Sequence, residues 1–166
     1  MSKAFTKDEG EGSSAPELPL GPPLPPGARN YVTPAGAAAL RARLAQAQAA
    51  LDQARAAGDS PRVQLAQQRL EFLAERNALL EEVAPPAAPG PEGPVRFGAI
   101  VTISNEDARE RCVQIVGVDE ADAARGRISW TSPLARALLG HLTGDEVRVE
   151  TPQGIVTCEI LAIAYE

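Results

Sequence analysis

Two runs of apolar residues, spaced alternately by three and four, flank a single break at Gly58-Asp59-Ser60-Pro61. The first run is Leu40, Leu44, Ala47, Leu51 and Ala54. The second is Val63, Ala66, Leu70, Leu73, Asn77 and Leu80. That alternation lays one apolar stripe along each helix, with the spacing of a coiled-coil seam. Two stripes with a breaker between them are buried most simply by folding one onto the other. An antiparallel coiled-coil hairpin is therefore predicted over residues 30–83, with its tip at about 58–62. A parallel dimer would need one uninterrupted helix, which glycine and proline at the break oppose. Thr33-Pro34 opens the first helix, because threonine caps and proline suits the first helical position. The seam alanines bury little, and Asn77 on the seam fixes register at a cost in stability.

What surrounds the hairpin differs in kind. Residues 1–29 are rich in proline and glycine and show no hydrophobic period. They are expected to be a disordered tail ending in an extended piece, Pro19 to Pro26, that acts as a spacer. A ligand for a proline-binding module is the lesser reading. Residues 84–94 hold five prolines and two glycines and read as a linker. Residues 95–166 read as a compact α+β domain. Strands are expected at 98–103, 111–118, 126–129, 146–150 and 155–163, with a helix running from Ser132-Pro133 to Leu139. The whole is a two-domain α+β chain. In its second domain Trp130 reads as core, and Cys112 and Cys158 read as small core hydrophobes. His141 reads as a helix-end residue. Asp119, Glu120 and Asp122 have the spacing of a metal cluster, but acids in a turn are ordinarily just solvated.

Charge narrows the partners. Lys plus Arg is 16, Asp plus Glu is 22, and the net charge is −6. Such a chain does not hold DNA or RNA through its overall charge, because neutralising phosphates needs a basic surface. Nucleic acid is then met only through another protein. Two cysteines and one histidine leave little for a zinc site, a disulfide framework or a His-based triad. No apolar run approaches the roughly 18 residues of a membrane span. No apolar stretch follows Met1-Ser2-Lys3-Ala4-Phe5-Thr6, so a cytoplasmic monomer with reduced thiols and no cofactor of its own is expected.

One stretch carries a resemblance. Gly117-Val-Asp119-Glu120-Ala-Asp122 is followed by Gly126-Arg-Ile-Ser-Trp130-Thr-Ser132-Pro133-Leu-Ala-Arg136. Gly144-Asp145-Glu146-Val147 and Thr151-Pro152-Gln-Gly154 come later. Together they resemble the bacterial transcript-cleavage factors GreA and GreB, and GreB more closely. Ser2-Lys3-Ala4-Phe5-Thr6-Lys7 and Asn30-Tyr31-Val32-Thr33-Pro34-Ala35-Gly36 are similar to the same family. The resemblance implies an FKBP-like C-terminal domain that docks on bacterial RNA polymerase at its secondary channel, with the coiled coil entering the channel. It also implies that Asp119, Ser132 and Pro133 lie on the polymerase-binding surface. Acids at the family's hairpin tip help hold the second magnesium ion of the polymerase, which itself cleaves backtracked RNA. The factor is an accessory and not an enzyme.

At the tip this chain departs from that pattern. Asp59 matches the first family acid, and it is the one residue implied to assist the catalytic metal. Without gaps, Arg62 stands where the second acid belongs, Val63 where asparagine belongs and Ala66 where tyrosine belongs. Anchored on Gln68-Arg69-Leu70, the tip is instead a few residues short. On either alignment the paired carboxylates are gone. Hard dications want several carboxylate oxygens, and an arginine beside one opposes the metal. Asp59 equally suits a helix cap. The expected function is that of a Gre-type elongation factor that binds bacterial RNA polymerase at the secondary channel and modulates elongation or arrest, with cleavage stimulation weak or absent because the tip acid pair is missing. The alternative is a non-cleaving, channel-occupying regulator that competes with active Gre factors. A prolyl isomerase is a remote reading, since FKBP-type activity needs an aromatic-lined pocket and Phe97, Trp130 and Tyr165 are the domain's aromatics.

Overall fold

The computed structural model describes residues 21–86, 93–105 and 107–165. The tail up to residue 20 and the middle of the linker, 87–92, lie outside them. The first part of the chain runs β1 (Asn30–Val32), α1 (Pro34–Ala56), α2 (Ser60–Ala78) and β2 (Leu80–Glu82). The seam residues of α1 do turn inward: Leu40, Ala47, Leu51 and Ala54 are buried and Leu44 is half-buried. On α2, Leu73 is buried while Val63, Ala66, Leu70 and Asn77 are half-buried. The two helices pack on each other around Leu40, Ala47 and Leu73, with Leu44, Leu70, Phe72 and Leu80 at the margin. At ~1.5 Å per residue the 23 residues of α1 reach roughly 35 Å. Gly58 makes the turn between the helices with φ +68°, a conformation that costs a side-chain-bearing residue but not glycine.

At the other end of the helices, β1 and β2 pair in parallel, Asn30 opposite Leu80 and Val32 opposite Glu82. Residues 21–29, read from composition as the end of a free tail, are placed against α2. The Arg76 Nη2 donates to the Pro22 carbonyl, and Pro23 and Pro25 border a groove with Phe72 and Leu79. The reason is a guanidinium that composition does not flag. Arg76 is buried, its Cζ lies 4.9 Å from the Phe72 ring centre, and it needs acceptors for its donors.

The second part is a five-stranded sheet in the order β5-β4-β3-β7-β6. Its strands are β3 (Ile100–Asn105), β4 (Glu110–Val116), β5 (Arg127–Ser129), β6 (Glu146–Thr151) and β7 (Gly154–Ala164). Pairing is antiparallel except between β4 and β5. The short helix α3 (Pro133–Leu138) lies against it. Alternation selects the core: Val101 and Ile103, Val113 and Ile115, Val147 and Val149 point inward to meet Ala135, Leu138 and Ile160. The same alternation corrects one expectation. Cys112 precedes inward Val113, so its side chain faces the other way and is exposed, whereas Cys158 is buried in the core. In the turn before β6, the Leu142 N–H donates to Asp145 at 2.8 Å, and this bond, helped by His141 at 3.3 Å, holds the Asp145 carboxyl below its ordinary value of 3.8.

Leu138 is fully buried between α3 and the sheet. Leu138→Ala is expected to lower unfolding free energy by about 2–5 kcal/mol, read from urea denaturation. Cys112→Ala should stay within about 0.5 kcal/mol of the parent.

Candidate functional site

The hairpin tip is built by a cap. Pro61 permits a helix start, and Asp59 takes the N-cap position, its Oδ1 accepting from the Arg62 N–H at 3.1 Å. The other oxygen, Oδ2, lies 3.4 Å from Arg62 Nε. Both oxygens of the only tip carboxylate are thus engaged within its own chain, one by the helix N-terminus and one by a guanidinium. A hard dication wants several unshared carboxylate oxygens. One carboxylate beside a cation does not fit it, and among the described residues no group of three or more His, Cys, Asp or Glu is gathered for a metal.

The other predicted residues separate. Ser132 caps α3, its Oγ accepting from the Ala135 N–H at 3.2 Å, and Pro133 follows it, exposed. Both border an apolar groove of about 670 Å³ whose walls include Ile103, Ile128, Leu134 and Val156. Among the described residues no aromatic side chain lines that groove. The domain's Phe97 and Trp130 instead reach Tyr31 of β1, at ring-centre distances of 6.5 Å and 5.6 Å, the latter edge-on. Trp130 is therefore half-buried at a joint between the two parts of the chain as well as packed against the core.

Asp119 does not share the surface of Ser132 and Pro133. It sits in a single 3-10 turn, Val118–Glu120, and its side chain is 8% exposed. It accepts from Asn30 Nδ2 at 2.9 Å and lies 3.8 Å from Arg76 Nη1. Glu120 beside it is buried as well, 3.1 Å from Arg127 Nη2. Two of the three acids read as solvated turn residues are in fact the inside of a joint. Asp122, half-buried, caps the next turn through the Ala124 N–H. The reading failed because the arginines that make burial tolerable, Arg76 and Arg127, stand on α2 and β5 and not beside the acids in sequence. The available signal was two glycines. A Cβ on Gly36 would meet the Glu120 carboxyl carbon at 2.1 Å, and one on Gly117 would meet the Tyr31 carbonyl oxygen at 2.4 Å.

Comparison with known proteins bears on the second part of the chain. Residues 90–165 match the family described as transcription elongation factor GreA/GreB, C-terminal. Transcription elongation factor GreB of Yersinia pestis is 47% identical over 98 residues, covering 59% of this chain and 56% of that protein. Transcription elongation factor GreA of a Psychrobacter species is 48% identical over 86 residues, covering 51% of this chain and 54% of that one. The chain thus spans little more than half the length of these curated relatives. A solved structure, GreA factor homolog 1 of Thermus thermophilus, is similar at 24% identity over 82% of this chain and 99% of that one, with a TM-score of 0.39. The match to the GreA/GreB C-terminal family thus lies in the second part of the chain, which also carries the Gly117–Arg136 stretch.

Proposed function

We propose that this chain is a Gre-type elongation factor that docks on bacterial RNA polymerase through its FKBP-like C-terminal domain and occupies the secondary channel with its coiled-coil hairpin without stimulating RNA cleavage. It meets DNA and RNA only within the elongation complex and works as an accessory, not an enzyme. The match of residues 90–165 to the GreA/GreB C-terminal family supports the partner, and one observation carries the mechanism. The single tip carboxylate, Asp59, already shares one oxygen with the Arg62 N–H and the other with the Arg62 guanidinium, so a lone acid beside a cation is what the tip offers the polymerase magnesium. Losing a metal-supporting group already costs about 10–100-fold in related sites.

Ser132 and Pro133 are the residues proposed to meet the polymerase, and their position at the rim of the apolar groove supports that reading. Asp119, its side chain buried in the joint against Asn30 and Arg76, is not proposed as a docking contact. A prolyl isomerase gains no support, because among the described residues the groove between α3 and the sheet has no aromatic wall. Cleavage stimulation is the competing reading, and it turns on the same atom.

Two measurements separate them. In a backtracked elongation complex the chain should leave cleavage at the intrinsic rate and should inhibit an active Gre factor in proportion to its concentration. Cleavage above the intrinsic rate that disappears in Asp59→Ala would establish the competing reading. Asp59→Ala should also cost about 1 kcal/mol of stability through the lost cap, seen in thermal unfolding, while leaving inhibition of the active factor intact.

A further inference from the structure

A carboxylate has about four acceptor positions, and Glu120, 5% exposed at its side chain, uses four. Its Oε2 accepts from the Gly117 N–H at 3.0 Å and the Thr33 N–H at 2.9 Å. Its Oε1 accepts from Thr33 Oγ1 at 2.5 Å and from Arg127 Nη2 at 3.1 Å. Two of the four donors belong to Thr33, the residue that caps α1. A hydroxyl has a single proton. Because that of Thr33 goes to Glu120, its lone pairs face the helix, and they accept from the Gly36 N–H at 3.0 Å. The C-terminal domain therefore sets the orientation of the residue from which the hairpin starts. Gly36 does not have a positive φ, so its lack of a side chain serves the close approach of Glu120 and not a turn.

We infer that Glu120 is a positioning residue: acting through Thr33, it fixes the direction in which the hairpin leaves the C-terminal domain, and so how well the tip is aimed once that domain is docked. The aiming consequence rests on the function proposed above. The geometry of the joint does not. Roughly 35 Å of helix multiplies any angular looseness at its base into displacement at the tip. With one domain docked, insertion of the other is an intramolecular event governed by effective concentration. A joint that wanders therefore lowers occupancy without touching either contact surface.

The test is the distance distribution between spin labels on exposed Cys112 and on Gln64→Cys near the tip, in the full chain without polymerase. The parent should give one narrow distribution. Glu120→Gln keeps the shape but replaces an acceptor oxygen with a donor, and Thr33→Val removes the hydroxyl at constant volume. Both should broaden or shift the distribution, while Thr33→Ser should restore it. Unchanged distributions in Glu120→Gln and Thr33→Val would overturn the inference, as would a broad distribution in the parent. If Glu120→Gln does not fold, the Thr33→Val and Thr33→Ser pair decides alone. With polymerase present, Thr33→Val should need about tenfold more protein to inhibit an active Gre factor, and Thr33→Ser no more than the parent. Parent protein that fails to inhibit at all would refute the proposed function and leave the distance result standing.

Discussion

Two buried acids facing two arginines hold the two parts of this chain together, and much else in the structure follows from them. Removing Asp119 and Glu120 from water is expensive, and only good geometry with additional hydrogen bonds makes such burial tolerable. Here Glu120 has its four donors and Asp119 has Asn30 and Arg76. The arginines are less fully served: among the described residues Arg76 Nη1 and Arg127 Nε find no hydrogen-bond partner. Breaking such a set from one side leaves a charge stranded in a dry place, which is why such arrangements are rigid even where they add little net stability. The demand spreads outward. Gly36 and Gly117 must lack side chains, Thr33 must be a hydroxyl residue, and Tyr31 is brought against Trp130 and Phe97.

Stability is unevenly distributed along the hairpin. At its base are the joint, the β1–β2 pairing and the segment that Arg76 holds against α2. Toward the tip the buried residues are Leu51 and Ala54 on α1, faced by half-buried Val63 and Ala66 on α2. Small side chains bury little area, at roughly 25 cal/mol per Å². There local devices matter more: Gly58 in the turn, proline at the start of α2, and the Asp59 cap. The hairpin thus has a firmly held base and a thinly packed end.

Much of this was legible in the sequence where the determinant is local. The three-and-four spacing from Leu40 to Ala54 placed the inward face of α1, and alternation placed Val113 and Ile115 in the core. Alternation would also have shown Cys112 facing out, had it been preferred to the general tendency of cysteine to be buried. Strands of three residues, such as β1 and β2, carry too short a pattern to register. The joint was illegible for a deeper reason. Whether a turn acid is solvated or buried is decided by what the fold brings to it, and Arg76 reaches Asp119 from the other domain. Of the residues singled out for function, the structure keeps Ser132 and Pro133 at one groove, leaves Asp59 at the tip and withdraws Asp119 into the interior.

At the tip, shape and chemistry compete for one side chain. A sharp reversal into a helix that begins with proline leaves backbone N–H groups without partners, and an aspartate at the N-cap is among the best ways to satisfy one. A metal-assisting carboxylate needs the opposite: oxygens left bare and aimed away from the chain. A tip with two acids can divide the tasks between them. This chain has one acid, and where a second could stand it has Arg62, whose N–H and guanidinium both engage the first. Arg62 therefore does more than leave a second acid out: it engages both oxygens of the one acid present, so that the carboxylate serves the shape of the tip.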